Sequence, residues 1–311
     1  MRILVTGAAG FLGSHLCESL LLRGDEVIGL DNYYTGSREN IANLSKFEKF
    51  SFIESDVTKP FDVDVNGIFN LACPASPIHY QRNPVETIRT SFVGALNVLE
   101  NARKYGARVL QASTSEVYGD PNVSPQAEEY WGNVNPIGIR SCYDEGKRAA
   151  ETLFFDFHRE YGTKIKVARI FNTYGPRMQF NDGRVISNFV HQALTSNALT
   201  IYGDGSQTRS FCYVDDLIGG LISLFETADS VTGPINIGNP EEFSIIQVAQ
   251  LVNELTGNKH EFIYKTQPLD DPRTRCPDVS KALELFSWNP QTDLKTGIEA
   301  TIADFQFRLR A

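Results

Sequence analysis

The sequence predicts an α/β fold, a doubly wound parallel sheet carrying a smaller C-terminal domain, on three observations. Short apolar runs alternate with amphipathic stretches in the order strand, helix, strand, helix, the arrangement that builds a parallel sheet with crossover helices. The first apolar run ends in a turn with Gly7, Gly10 and Gly13 and opens directly into a helical pattern. The regular alternation stops after Ile170, where FNTYGPRMQFNDGR is rich in Asn, Gly, Pro and Arg and reads as a loop.

Residues 2–6 (RILVT) form a short apolar run of the kind that lies between two neighbours in a parallel sheet. The amphipathic stretch over about 11–23 is a helix ended by Gly24. Further strands are expected at 27–30, 50–54, 67–72, 108–112 and 166–170, with long helices at about 84–105 and 143–161 bracketing the strand at 108. Beyond the loop, helices are expected at 188–196, 214–226, 244–256 and 294–307, and strands at 199–202 and 235–237. These elements divide the chain into a nucleotide-binding domain of residues 1–171 plus about 210–238, and a substrate-binding domain of about 172–209 and 239–311.

Composition narrows the function. With 38 acidic against 29 basic residues, the formal net charge of −9 repels DNA, RNA and anionic lipid at long range, which disfavours nucleic-acid and membrane-surface roles. Arginines do recur locally, at 169, 177, 184, 209, 273 and 275, where a cluster can hold an anionic ligand or simply form surface pairs. Cys17, Cys73, Cys142, Cys212 and Cys276 are odd in number, far apart and free of any CxxC pair, so no disulfide framework or thiolate metal site is expected and a reducing cytoplasm fits. The five histidines show no ligand spacing, and no metal is expected. Glycines and polar residues interrupt the apolar N-terminus, and no stretch approaches the ~18 residues of a spanning helix.

Glycine is the residue type a pyrophosphate demands, because phosphate must approach the backbone closely at a helix N-terminus that offers unpaired N–H groups. Gly7, Gly10 and Gly13 alone also suit a tight turn with no ligand. Asp31, 18 residues after Gly13 at the end of the second strand, adds a carboxylate for ribose hydroxyls. That selects NAD over NADP, whose 2′-phosphate meets a like charge unless Arg38 swings in. Asp56, Leu71 and Ala72 follow the third and fourth strands at the sheet edge where such folds place a ligand, although Asp56 equally suits a turn.

Tyr143 and Lys147 lie four apart on one helix face. A phenol titrates near pH 10, so an adjacent ammonium, with a cationic nicotinamide ring beyond it, favours the phenolate and makes Tyr143 a usable base. The run ASTSEVYG, 112–119, follows the fifth strand and brings Thr114 and Ser115 as hydroxyl partners and Glu116 as a carboxylate to the same edge. A Ser/Thr run there also suits simple capping.

The glycine turn, the Ser/Thr run and YxxxK together resemble the extended short-chain dehydrogenase/reductase superfamily, with its Rossmann-type sheet. LACPASPIHY, ASTSEVYGDP, EEYWGNVNPIG, RSCYDEGKR, ARIFNTYGPRM, DGRVISNF, GDGSQTRSFCYV, INIGNPEEF and DDPRTRCPD resemble, more specifically, the UDP-glucuronate decarboxylases (UDP-xylose synthases), over essentially the whole chain. The resemblance implies oxidation of the sugar C4 hydroxyl with bound NAD, loss of the carboxyl as carbon dioxide from the resulting β-keto acid, and return of hydride to C4. It implies Tyr143 as base, Lys147 tuning it and binding the nicotinamide ribose, and Thr114 assisting. Ser115, Glu116 and Arg275 belong at the carboxylate end. Cofactor contacts extend to Phe11, Leu12, Asn32 and Val57. Asn172, Arg184, Val185, Tyr202, Gln207 and Arg209 hold UDP, with Pro74 and Tyr80 on the sugar side. Sugar 4,6-dehydratases carry an Asp-Glu pair where this chain has Ser115-Glu116, which disfavours dehydration. A homodimer through the two long helices is implied, supported by Leu153, Phe154, Phe155 and Phe157 spreading beyond one apolar stripe. The rival readings are a UDP-sugar 4-epimerase and a catalytically silent NAD-binding regulator.

Overall fold

Successive side chains of a strand point to opposite sides, and a sheet covered on both faces must therefore be apolar at every position. In the computed structural model, which describes residues 1–266 and 274–310, β1 (Arg2–Thr6), β2 (Glu26–Asp31), β4 (Gly67–Asn70) and β5 (Arg108–Thr114) are buried on both faces and apolar through most of their length, with polar residues toward their ends and at Gln111, while β3 (Phe50–Glu54) is the half-exposed edge. Strand β6 (Ile165–Ile170) is followed by the short β7 (Thr173–Tyr174), β8 (Thr200–Tyr202), β9 (Thr208–Ser210), β10 (Cys212–Tyr213), β11 (Ile235–Ile237), β12 (Glu242–Ser244) and β13 (Ile263–Lys265). Seven strands make one parallel sheet in the order β11-β6-β5-β4-β1-β2-β3. The chain winds outward from β1 in one direction and from β4 in the other, which opens a crevice between their carboxyl ends.

The helices are α1 (Phe11–Leu22), α2 (Arg38–Leu44), α3 (Pro77–Tyr80), α4 (Pro84–Tyr105), α5 (Ser141–Tyr161), α6 (Val185–Leu194), α7 (Val214–Glu226), α8 (Ile245–Thr256), α9 (Ser280–Phe286) and α10 (Leu294–Arg310). Leu16 and Leu20 of α1 with Leu217, Leu221 and Phe225 of α7 pack on Ile3 and Val5. On the opposite face, Val98 and Leu99 of α4 with Phe154 and Phe157 of α5 pack on Leu4, Ile68 and Val109. A third core joins α6, α8 and α10 through Phe189, Val248 and Phe305. No described helix is long and apolar enough to cross a membrane.

The doubly wound sheet is as expected, with corrections in detail. The segment read as a plain loop after Ile170 contains β7, which pairs in parallel with β10. Helix α6 starts at Val185, earlier than expected, and α2 and α9, seven residues each, are too short to show a helical period. Arg273, and residues 270–273 of the DDPRTRCPD stretch, lie outside the described residues.

Candidate active site

Thr6 and Asn70 brace the crevice: the Thr6 hydroxyl donates to Asn70 Oδ1 at 2.7 Å and accepts from the Leu71 and Ala72 N–H groups at 3.2 Å. Gly7 sits at φ +72°, where side chains are strained, and a Cβ on Gly13 would stand 2.0 Å from the Gly7 carbonyl oxygen. Glycine at these positions therefore lets α1 start hard against the β1 turn, and the first N–H groups of the helix face the crevice without intrahelical partners. Gly10 is the N-cap residue and offers no side-chain cap. Asp31 is buried, accepting from Ala9 N–H at 3.0 Å and Tyr33 N–H at 2.7 Å. Burial raises its carboxyl above the usual range, and those backbone donors pull it back. Arg38 has not swung in, for it lies over the Tyr33 ring and bonds Glu54 at 3.1 Å. Asp56 does make the turn, accepting from Thr58 N–H and hydroxyl at 2.8 and 2.7 Å, and it holds Asn32 at 2.9 Å while still facing the crevice.

One cavity of about 820 Å³ runs from this turn to the loop cluster beyond β6, a size within the ~300–1,000 Å³ of cofactor and ligand sites. It gathers the glycine turn with Phe11 and Leu12, Asp31, Asn32, Asp56, Val57, Leu71, Ala72 and Pro74. Thr114, Ser115, Glu116, Tyr143 and Lys147 form its middle. Asn172, Arg184, Val185, Tyr202, Gln207, Arg209 and Arg275 close the far end. Tyr80 is different. It is 1 % exposed and lies behind the wall, its ring stacked on Tyr143 at 5.1 Å and nearly parallel. Arg169 also stands apart, paired with Glu151 at 2.8 Å in the interior.

Burial governs the electrostatics of the protein groups in the middle of the site. Lys147 donates to the Ala112 carbonyl at 2.8 Å, its nitrogen lies 5.7 Å from the Tyr143 ring centre, and burial lowers its own pKa. Burial holds the Tyr143 phenol well above its ordinary range, the Cys73 thiol adds to this, and the Thr114 hydroxyl pulls the other way. The ammonium alone therefore does not make the phenol a base. Lys147 fixes the edge of β5 and leaves net cationic influence to whatever binds beside the ring.

Three neighbours were missed in the sequence. Glu116 is fully enclosed, with Arg140 at 2.7 Å on one oxygen and Arg275 at 2.8 Å on the other. Burial pushes Glu116 up, yet Arg275 and Arg140 outweigh it and hold the carboxyl below its usual range. Two guanidinium groups thus converge on this wall, one from each side of Glu116, and Arg275 and Glu116 both line the main cavity. Arg140, Tyr143 and Lys147 are spaced by three and four, a helical signal that pointed to Arg140 within RSCYDEGKR. Cys73, hydrogen-bonded to Ser91 at 3.2 Å, and Asp144, buried beside Tyr143, had no distinguishing pattern.

This crevice, glycine turn and Tyr-Lys pair define a nucleotide-dependent oxidoreductase-type fold, and the model of the NAD dependent epimerase/dehydratase family matches residues 3–238. The chain belongs to that family. It is 56% identical over 310 residues to UDP-glucuronic acid decarboxylase 6 of Arabidopsis thaliana, covering 99% of this chain and 90% of that protein, which bears out the resemblance drawn from the sequence. Among solved structures it is similar to UDP-glucose 4-epimerase from Thermotoga maritima with UDP-glucose (TM-score 0.90, 31% identity, 99% and 100% of the two chains). It is also similar to UDP-glucuronic acid 4-epimerase from Bacillus cereus in complex with UDP-glucuronic acid and NAD (TM-score 0.90, 29% identity, 99% and 100%).

Proposed function

We propose that the chain is an enzyme that decarboxylates UDP-glucuronate to UDP-xylose with NAD that is restored within each turnover. The carrying observation is Glu116 locked between Arg140 and Arg275, on the wall of the cavity that also holds Thr114, Tyr143 and Lys147. The paired guanidinium groups on this wall suit the sugar carboxylate, and a relative at 56% identity is named for this reaction while the epimerases stand near 30%.

The glycine turn, the α1 N-terminus and Asp31 fit NAD, and Asn32 and Asp56, which line the same end of the cavity, would help to hold it. Bound there, NAD supplies the hydride acceptor for C4 of the sugar and, in reduced form, the donor. The residues of the chain do the rest. Tyr143 takes the C4 hydroxyl proton and later returns it, with Thr114 sharing the hydrogen bond and Lys147 holding the ribose. The ketone at C4 makes the C5 carboxyl a β-keto acid, and its departure as carbon dioxide is assisted by Ser115, Glu116 and Arg275 around C5. Asn172, Arg184, Gln207 and Arg209 hold the UDP, with Val185 and Tyr202 beside them, and Pro74 lines the sugar side. Tyr80 stiffens Tyr143 from behind.

Purified protein given NAD and UDP-glucuronate is expected to yield carbon dioxide and UDP-xylose. A retained carboxylate with inverted C4 marks an epimerase, no turnover marks a silent regulator, and release of the 4-keto pentose marks an oxidative decarboxylase. Calorimetric titration is expected to give tighter binding of NAD than of NADP, with Asp31→Asn narrowing the gap because the charge facing a 2′-phosphate is gone. Equal affinities in the parent chain refute that role for Asp31.

The dimer belongs to this reading too. Phe154 and Phe157 turn into the core, and Leu153 and Phe155 pack partly against it, so α5 leaves less apolar surface than its sequence suggested. The unpartnered stripe is on α4, where Val85, Ile88 and Phe92 are exposed at helical spacing. Light scattering at micromolar concentration is expected to give the mass of two chains, and a single-chain mass refutes the dimer.

A further inference from the structure

On the decarboxylase reading, each turnover replaces a carboxylate by a hydrogen. The bond from C5 to the carboxyl carbon breaks, its electron pair passes into the C4 ketone as an enolate, and a proton then bonds to C5. The proton taken from the C4 hydroxyl returns to that oxygen when C4 is reduced. One further proton per turnover must therefore come from solvent.

Behind Glu116 lies a second chamber of about 210 Å³, lined by Gly119, Asn133, Asn135, Ser141 and Asp144. Glu116 and Arg140 line both this chamber and the main cavity, so they form the partition between the two. Asp144 is 7 % exposed, and its Oδ1 has no hydrogen-bond partner among the described residues. An unsatisfied buried oxygen is a cost that a purely structural position would not favour.

We propose that Asp144 is the relay group that carries a solvent proton across this chamber to Glu116, and through it to C5. The charges facing Asp144 set the direction. Burial and then the Glu116 carboxylate push its acid up to about 8, against Arg140 and Arg275, with Glu145 adding to the rise. Asp120, which lines the same chamber, Cys142 and the Tyr80 phenol are further titratable groups around it. At neutral pH Asp144 holds a proton, while Glu116, clamped by its two arginines, does not. A protonated acid thus faces an ionised one across a small polar space. Asp144 gives its proton to Glu116, Glu116 passes it to the enolate carbon, and Asp144 is reloaded from solvent.

The test is single turnover of the NAD-loaded protein with UDP-glucuronate, following reduced nicotinamide by absorbance and C5 protonation by quenched product analysis in heavy water. In the parent chain, C5 protonation is expected to slow as pH rises through about 8. Asp144→Asn is expected to keep the early rise in reduced nicotinamide, lose the limb near pH 8, and slow C5 protonation by at least ~10-fold, short of the ~10²–10⁴ of a direct proton donor. A parent profile flat across this range overturns the relay whether or not the variant folds. So does an Asp144→Asn protein with the parent rate and profile. Absence of carbon dioxide from the parent chain instead sinks the decarboxylase reading itself, at the first step.

Discussion

Tyr143→Phe is expected to cut turnover of UDP-glucuronate by at least ~10²-fold, the scale of a lost proton-transfer group, while NAD binding stays nearly unchanged. The substitution removes a single oxygen. The ring remains 5.1 Å from the parallel Tyr80 ring and keeps its packing, so the wall of the cavity is preserved. Lys147 remains anchored on the Ala112 carbonyl, which does not depend on the phenol. The loss therefore falls on kcat, with KM little moved. Because burial holds the phenol well above its ordinary range, Tyr143 acts as a base only with a cationic ring beside it, which is the charge oxidised NAD brings. Steady-state kinetics and a separate NAD titration check both halves. A variant keeping more than about a tenth of the parent rate would place the base elsewhere.

Most of the architecture was legible because it rests on periodicity. Apolar runs such as RILVT admit few alternatives once a glycine turn and an amphipathic helix follow. The Gly7-Gly10-Gly13 turn, Asp31 and Tyr143-Lys147 were legible for a different reason, since each has a spacing that backbone geometry fixes. The short strands β7 and β10 were not, because two residues carry no period and they form only by pairing across the chain. Distance in sequence hid the partition of the site as well. Glu116 meets Arg140 24 positions on and Arg275 159 positions on, and nothing local marks either arginine as its partner. The position of Tyr80 depends on the stacking direction of one ring, which no sequence pattern encodes. Spacing put the Lys147 ammonium on the Tyr143 helix face, but how far burial lowers that ammonium and raises the phenol depends on packing that no spacing encodes.

Arg275→Met carries the other large effect, and it acts on stability and chemistry together. Glu116 is enclosed, and its two oxygens each have one arginine. Removing Arg275 leaves one oxygen of a buried carboxylate without its ion pair, a change worth about 3 kcal/mol, the low end for breaking a buried pair because Arg140 stays. The pH dependence has a definite sign. Glu116 is held below its ordinary pKa in the fold, so its pairing stabilises above the ordinary carboxylate range and is lost as pH falls through the folded value. Thermal unfolding is thus expected to separate parent and variant most at neutral pH, the gap narrowing below about pH 4 as both carboxyls protonate. Turnover is expected to fall by at least ~10²-fold, since the wall loses one of the two guanidinium groups proposed to meet the sugar carboxylate. A variant with the parent melting temperature at pH 7 would mean that Arg140 alone carries Glu116. Full activity in the same variant would remove Arg275 from the carboxylate subsite.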